Sequence, residues 1–147
     1  MSALKNITNI ILLGAFMIPA TVFAQDRVVP NAEIPPAIQQ YVKKHFPNQS
    51  IVKVEMDMEG TKKEYEIKLD NRTELEFNGQ YQVEKIDGKS AIPASAIPAP
   101  INEYVKMHYP NNTVTEWETE WNHQEVKLDN GIELEFDLKG AFIRIDN

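Results

Sequence analysis

The chain has 147 residues, a formal net charge of −7 and no cysteine. The acidic balance argues against a nucleic-acid partner, because contacts with phosphates require a basic surface. The lack of cysteine excludes disulfides and a lipid-attached N-terminal cysteine. After removal of the N-terminal segment described next, roughly 120 residues remain, which suits one domain or two small domains packed together.

Residues 1–24 have the pattern of a secretory signal peptide. Lys5 precedes the apolar run Ile10–Ile18, and Val22 and Ala24 occupy the two small-residue positions before a cleavage site. The apolar run is shorter than the roughly 20 residues that a membrane span needs. We therefore predict cleavage after Ala24, export to the periplasm and a mature chain without a membrane anchor.

The rest of the chain is one unit written twice. The motif YVKKHFPN, which begins at Tyr41, returns as YVKMHYPN at Tyr104. The motif KLDNRTELEF, which begins at Lys68, returns as KLDNGIELEF at Lys127. The second spacing is four residues shorter than the first. We infer a tandem duplication in which the second copy has lost four residues at a hairpin turn.

Each unit is predicted to contain one helix followed by four antiparallel strands, with unit 1 at residues 28–87 and unit 2 at residues 91–147. The helix follows an Ile-Pro pair, since proline is accepted in the first turn, and Pro47 ends it in unit 1. Alternating apolar and charged residues then indicate strands with one packed and one solvated face. On the first strand the packed face is expected to carry Val52, Val54, Met56 and Met58.

The hairpin between the second and third strands of each unit is predicted to have a loop with an odd number of residues. A two-residue Asn130-Gly131 turn would place an apolar residue opposite a charged one, whereas a loop at residues 130–132 keeps apolar residues on one face. This choice predicts the cross-strand pairs Leu128–Leu134, Lys127–Glu135, Leu69–Leu75 and Lys68–Glu76.

The repeated pattern resembles the PepSY-like periplasmic family, which is described as beta-lactamase-inhibitor-like. The motifs IPxxIxxYVxxH(F/Y)P and KLDNGxELEF carry the resemblance, which covers nearly all of the mature chain. It implies an α+β fold in which the two units form a continuous curved sheet with the helices on one face, leaving the other face to grip a partner. Unit 1 departs from the pattern at Arg72, which replaces Gly131, and at FNG, which is expected to make a shorter turn than FDLKG in unit 2.

The histidines have two interpretations. His45 and His108 occupy equivalent places in the two helices, whereas His123 has no counterpart. The pair would form a shared metal or acid–base site only if the helices turned these side chains toward each other. The simpler interpretation is a helix-end histidine that faces the apolar side and bonds to a backbone carbonyl in each unit. A three-histidine metal site is not expected.

Paired carboxylates and two tryptophans are further candidates. The predicted loops place Asp70 opposite Glu74 and Asp129 opposite Glu133, where a calcium ion could relieve like-charge repulsion; otherwise these are solvated surface charges. Trp117 and Trp121 replace Val54 and Met58 on the packed face. We expect Trp117 in the core, and leave Trp121 as either a core residue or a binding anchor.

No motif for catalysis, phosphate binding or a zinc protease is found, so we predict a non-enzymatic protein without a cofactor or metal. The leading hypothesis is a module that binds an envelope or secreted protein, as an inhibitor of a protease or another envelope enzyme. The alternative is a calcium- or small-ligand-responsive envelope module with no protein target. The binding surface is predicted to consist of Glu64, Glu66, Lys68, Glu74, Glu76, Trp121, Glu125, Lys127, Glu133 and Glu135.

Overall fold

The computed structural model describes residues 27–146, apart from the side chain at position 59. The predicted signal peptide and its cleavage site therefore lie outside the described residues. Within this range the elements are β1 (Arg27–Val28), α1 (Pro36–His45), β2 (Ile51–Glu59), β3 (Lys62–Leu69), β4 (Glu74–Asn78), β5 (Val83–Asp87), α2 (Ala99–His108), β6 (Val114–Thr119), β7 (His123–Leu128), β8 (Glu133–Asp137) and β9 (Phe142–Asp146). A single 3-10 turn precedes each α-helix, at Asn31–Glu33 and Ala94–Ala96.

All nine described strands form one antiparallel sheet, in which β1 to β9 lie side by side in chain order. The two units join where β5 pairs with β6 and Ile86 lies opposite Trp117. The predicted α+β fold of two tandem units sharing a continuous sheet is confirmed. The short strand β1 was not predicted; it pairs with β2, with Arg27 opposite Met56.

The two helices cover one face of the sheet in the same way. Ile38 and Val42 of α1 are buried, as are Ile101 and Val105 of α2. A tyrosine ring of each helix also meets a sheet phenylalanine edge to face, with centroids 5.2 Å apart in unit 1 and 5.3 Å apart in unit 2. Each fully buried aliphatic side chain contributes about 1.5–3 kcal/mol to folding. Among the described residues, neither helix is long and apolar enough to cross a membrane.

The hydroxyl of Tyr41 is a weak point in this packing. Its oxygen is buried and has no hydrogen-bond partner among the described residues, and burial raises the pKa of Tyr41 to about 12. We expect Tyr41→Phe to leave the free energy of unfolding unchanged or to raise it by up to about 1 kcal/mol, because an unsatisfied polar atom is removed. Urea denaturation, with Tyr104→Phe as the matched control, measures this. A loss above about 1 kcal/mol in Tyr41→Phe alone would mean that the hydroxyl makes a stabilising bond.

The faces of β2 differ from the prediction at two positions. Ile51 pairs with Leu69 but Lys53 pairs with Lys68, so Val52 is the extra residue of a β-bulge. A bulge shifts the alternation by one residue, and Val52 is consequently 61% exposed rather than packed. Met58 is also exposed, whereas Val54 is buried as predicted.

The β3–β4 and β7–β8 hairpins have the predicted odd loops but a register shifted by two residues. Lys68 lies opposite Glu74, and Lys127 opposite Glu133, so the predicted pairs with Glu76 and Glu135 are wrong. The predicted leucine pairs are wrong for the same reason: Leu75 faces Ile67, and Leu134 faces Val126. The cause is the backbone of the loops, which close one residue earlier than predicted.

A left-handed residue closes each of these loops. Gly131 has φ +86°, and Arg72 has φ +69° at the equivalent position. The N–H of Gly131 donates to the Leu128 carbonyl at 2.9 Å, and the N–H of Arg72 donates to the Leu69 carbonyl at 3.0 Å. This geometry matches a three-residue loop with a left-handed third residue. Arg72 therefore adopts the left-handed conformation of the glycine that it replaces.

The shifted register also removes the paired carboxylates proposed for calcium. Asp70 lies in its loop and accepts a hydrogen bond from the Ser50 N–H at 3.1 Å. Asp129 accepts from the Asn112 amide at 2.8 Å, and this bond is the main reason that the pKa of Asp129 is lowered. Neither aspartate faces the glutamate predicted for it, so the calcium hypothesis for these pairs is wrong.

Two other hairpins show how the units diverged. The β6–β7 hairpin turns at residues 121–122, and the β2–β3 hairpin turns at residues 60–61 after a longer ladder, which confirms the four-residue loss.

The turns after β4 and β8, by contrast, have the same length. Tyr81, with φ +63°, occupies the place of Gly140, with φ +86°, so the expected shorter turn in unit 1 is wrong.

Candidate functional site: the open face of the sheet

The face of the sheet opposite the helices carries nearly all of its charge. Strict alternation in β3, β4, β7 and β8 turns apolar side chains toward the helices and charged ones outward. The structure therefore brings together on one surface the nine charged residues predicted for binding: Glu64, Glu66, Lys68, Glu74, Glu76, Glu125, Lys127, Glu133 and Glu135. Trp121 lies apart from them, at the turn of the β6–β7 hairpin.

One row of this face, which we call the acidic stripe, runs across eight strands from β2 to β9. Its members face one another pair by pair in the order Glu55, Glu66, Glu76, Lys85, Glu118, Glu125, Glu135 and Arg144. Each unit contributes three glutamates followed by one basic residue. Since neighbouring strands lie about 4.8 Å apart, the glutamates extend over about 30 Å.

The adjacent row is mixed in charge, with three lysines and five carboxylates. It contains Lys53, Lys68, Glu74, Asp87, Glu116, Lys127, Glu133 and Asp146. Lys68 lies 3.3 Å from Glu74, and Lys127 lies 2.6 Å from Glu133. Ion pairs this exposed to solvent contribute little to stability. Four of the predicted binding residues therefore pair with each other.

The register explains which stripe members the sequence did not reveal. Glu66, Glu76, Glu125 and Glu135 were predicted, but Glu55, Glu118 and Lys85 were not, because cross-strand pairs were predicted only for the hairpin between the second and third strands of each unit. A signal was present: Glu55 and Glu118 are equivalent residues of the duplicated units. A glutamate at the same outward position of both copies could have been added to the row.

Like charges along the stripe perturb its central members. Burial raises the pKa of Glu76; Lys85 opposes the shift, and the charges of Glu118, Glu64 and Glu66 add to it. Desolvation lowers the pKa of Lys85, but the hydrogen bond to Glu118, at 3.1 Å, and the nearby carboxylates outweigh it and raise the pKa. One lysine thus compensates several carboxylates. Like charges directly opposite each other in a sheet are destabilising, so a cationic ligand would relieve this surface.

In unit 1 the stripe borders an open hollow of about 270 Å³. The carboxylates that line it are Glu55, Asp57, Glu64, Glu66 and Glu76. Three of these carboxylates already have a lysine within 4.0 Å: Lys53 for Glu55, Lys62 for Glu64 and Lys68 for Glu66.

In unit 2 a histidine replaces one of these carboxylates. His123 takes the place of Glu64, and its Nε2 lies 2.8 Å from Oε1 of Glu125. This hydrogen bond is the largest cause of the raised pKa of His123. Glu135 lies directly opposite Glu125 on β8. Ligand atoms of His123, Glu125 and Glu135 all lie within 4.8 Å of one another.

The helix histidines belong to the packing of the helix ends. His45 lies against Tyr41 with ring centroids 4.4 Å apart and the rings tilted by 39°, and His108 stacks on Tyr104 with centroids 4.3 Å apart. Both histidines therefore lie at the helix ends, but His108 is exposed and does not face the apolar side. His45 Nδ1 lies 3.1 Å from the hydroxyl of Ser95 in unit 2. Burial, followed by the charge of Lys44, lowers the pKa of His45, while a hydrogen bond with the backbone of Ser95 acts to raise it.

The two tryptophans have opposite environments. Trp117 is 6% exposed, and its Nε1 donates to Oε1 of Gln124 at 3.1 Å, so its predicted place in the core is confirmed. Trp121 is 87% exposed, which rules out the core alternative. The shortened hairpin is the reason, because the chain turns at residues 121–122 instead of continuing the strand.

This contrast predicts the fluorescence of the protein. Trp121→Phe should shift the emission to shorter wavelength and reduce quenching by acrylamide, because the remaining indole of Trp117 is shielded from solvent. The measurement is a quenching titration of wild type and variant under native conditions, with urea-unfolded samples as the reference. Unchanged quenching in Trp121→Phe would contradict the burial of Trp117.

Comparison with known proteins agrees with this architecture. The family described as "Putative beta-lactamase-inhibitor-like, PepSY-like" matches residues 21–85 and 78–144. A solved structure of a "putative calcium-regulated periplasmic protein" from Bacteroides thetaiotaomicron is 35% identical, with a TM-score of 0.77 over 83% of this chain and 97% of that chain. A DUF2874-family periplasmic protein from Bacteroides vulgatus is 31% identical, with the same TM-score and coverage.

A second periplasmic protein from Bacteroides vulgatus is 28% identical, with a TM-score of 0.77 over 84% of this chain and 100% of that chain. No match is found among curated protein sequences. The family model matches each unit separately, and each matched region ends within the last strand of its unit, in agreement with the duplicated fold. The chain belongs to the PepSY-like, beta-lactamase-inhibitor-like family.

Proposed function

We propose that this protein is a non-enzymatic periplasmic binding module whose open sheet face holds a cationic surface of an envelope or secreted protein. The observation that carries the proposal is the acidic stripe, in which two runs of three glutamates, on β2–β4 and on β6–β8, lie in one row on either side of Lys85. Like charges directly opposite each other destabilise a sheet, and a basic partner would relieve that repulsion. Glu76, whose pKa is raised by burial, is a carboxylate of the kind found at functional sites.

The surrounding residues suit the same role. Trp121 projects from the edge of this surface as an exposed aromatic side chain, which is typical of an interface anchor. The paired charges of the mixed row, including Lys68, Glu74, Lys127 and Glu133, form a polar surface beside the stripe. Association with a basic partner would be fast at low salt and would slow as ionic strength rises.

The location and the kind of partner are part of the proposal. The similar solved structures are periplasmic proteins, and the N-terminal pattern of this sequence is that of a signal peptide cleaved after Ala24. The inhibitor-like description of the family supports an envelope enzyme, such as a protease, as the target.

Calcium responsiveness is the second candidate. The hollow in unit 1 presents five carboxylates, which are the ligand type that calcium prefers. A protein 35% identical to this chain is described as calcium-regulated. In this version, calcium would bind the hollow and no protein target would be required.

A capture experiment distinguishes the two candidates. The immobilised mature protein is incubated with envelope extract at low and at high salt, and its thermal midpoint is measured with and without millimolar calcium. We expect a partner that is retained at low salt and released at high salt. No partner at low salt, together with a calcium-dependent rise of the midpoint, would favour the second candidate and reject the first.

A further inference from the structure

We propose that His123, Glu125 and Glu135 form a binding site for a divalent transition metal ion of the zinc class on the open face of unit 2. The site is separate from the carboxylate hollow of unit 1, and the proposal does not depend on the protein-binding role. It rests on donor geometry, on the orientation of the imidazole and on a buried carboxylate oxygen that accepts no aligned hydrogen bond.

The sheet brings the three donors together without the help of a loop. His123 and Glu125 are two residues apart on β7 and so share a face, while Glu135 on β8 lies directly opposite Glu125. Their ligand atoms all lie within 4.8 Å of one another. Zinc binds nitrogen and oxygen donors at about 2.0–2.2 Å, so small side-chain rotations would bring all three into contact with one ion. Solvent can supply the fourth ligand of a tetrahedral site, as in catalytic and exchangeable zinc sites.

The imidazole is already oriented for metal binding. His123 Nδ1 lies 2.7 Å from the amide oxygen of Asn122. An amide oxygen can only accept, so Nδ1 donates to it, and Nε2 donates to the Glu125 carboxylate. A metal ion would bind Nε2 in place of the proton that this nitrogen now shares with Glu125. Histidine ligands of metals typically donate their second ring N–H to an oxygen in this way, which fixes the tautomer and the ring plane.

Glu135 supplies an independent indication. It is only 9% exposed, although it lies on the open face, and its Oε2 accepts no hydrogen bond within the described part of the chain. Nη2 of Arg144 is 2.6 Å from this oxygen but is not aligned as a donor, and the Arg144 side chain is largely exposed. A metal ion would satisfy the buried oxygen while the guanidinium turned outward into solvent.

The other charges around the site leave room for a cation. Glu118 lies opposite Glu125 on β6 and is held by Lys85 at 3.1 Å. The equivalent positions of unit 1 are Glu64, Glu66 and Glu76, which offer no imidazole. Because imidazole favours zinc and all-oxygen sets favour calcium or magnesium, the duplication predicts zinc binding in unit 2 alone.

The test is titration of the metal-free mature protein with zinc chloride, followed by calorimetry and by competition with a chromophoric chelator. We expect one zinc ion per chain. His123→Gln should abolish this binding, and Asn122→Ala should weaken it about tenfold because the ring loses its orientation. His108→Gln is the matched control, because it removes an exposed histidine on the opposite side of the sheet and should bind zinc as the wild type does.

Circular dichroism of each metal-free variant separates loss of the site from loss of the fold. Glu135→Gln provides a second variant that retains the histidine and should also lose the zinc ion. The proposal is overturned if the folded wild-type chain binds no zinc at micromolar concentration, or if His123→Gln binds as tightly as the wild type. It is equally overturned if His108→Gln removes the ion.

Discussion

Ile86→Ala should lower the free energy of unfolding by about 3 kcal/mol, whereas Ile145→Ala should lower it by about 1 kcal/mol or less. The two isoleucines are the same residue of the duplicated unit, in β5 and β9. Ile86 has no exposed surface, while Ile145 is 46% exposed. The difference arises because β5 is paired on both sides, by β4 and β6, and β9 is paired with β8 alone among the described strands.

The comparison measures how strongly the two units are joined. Ile86 lies between Leu75 of its own unit and Trp117 of the next, so its truncation leaves a cavity at the junction. The loss should appear in urea denaturation as a lower midpoint with an unchanged slope, and both units should unfold in one transition. Equal losses at Ile86 and Ile145, or two separate transitions in the wild type, would mean that the units fold independently.

Gly140→Ala should lower the free energy of unfolding by about 2–4 kcal/mol. Gly140 has φ +86°, which costs a residue with a side chain about 1–2 kcal/mol. A Cβ at this position would also lie 2.9 Å from Cβ of Pro100 in α2, and overpacking of this kind typically costs about 1–3 kcal/mol. Gly131 has the same φ but nothing near its missing Cβ, so Gly131→Ala should show only the backbone contribution, about 1–2 kcal/mol.

A double-mutant cycle with Pro100 tests this steric argument. Pro100→Gly removes the Cβ that a side chain at position 140 would meet. It should therefore recover the packing part of the Gly140→Ala loss and leave the backbone part. Thermal and urea unfolding of the four proteins measure the coupling. Strictly additive losses would show that the contact with Pro100 is not the cause.

The sequence was most informative where one residue type determines geometry. The prolines around α1 and α2 limit the helices, and alternation in β3 and β7 assigns side chains to faces, so the fold and the open face were predictable. The four-residue loss was predictable because the spacing of the two motifs differs. These features depend on local patterns that long-range pairing does not override.

Register was less predictable, because it depends on backbone dihedrals and bulges. The alternation of apolar residues indicated that each loop has an odd number of residues. The position at which each loop closes, however, is set by the left-handed conformations of Arg72 and Gly131. That position determines which charged residues lie opposite each other. The bulge at Val52 inverted the expected face of that residue. The acidic stripe is a property of register across eight strands, so its individual glutamates could be seen in the sequence while the row could not.

The wrongly predicted cross-strand partners of Lys68 and Lys127 also limited the functional prediction. Lys68 and Lys127 were expected to oppose Glu76 and Glu135, which would have neutralised the stripe. With the observed register Lys68 and Lys127 lie opposite Glu74 and Glu133 in the mixed row, and the basic members of the stripe itself are Lys85 and Arg144. From the mixed row, Lys53 and Lys68 also reach Glu55 and Glu66. The surface is therefore more acidic in its central row than the sequence alone indicated.

The central claim is that the open face, through its acidic stripe, is the binding surface. It is tested most directly by measuring the affinity of a partner captured at low salt for Glu66→Gln/Glu125→Gln and for the control Glu33→Gln/Glu103→Gln. Both variants lose two negative charges, but Glu66 and Glu125 lie in the stripe, whereas Glu33 and Glu103 lie outside the sheet. We predict at least a tenfold loss of affinity for the stripe variant, about 1.4 kcal/mol, and a shallower salt dependence, with the control unchanged. Equal affinity of the two variants would contradict the account.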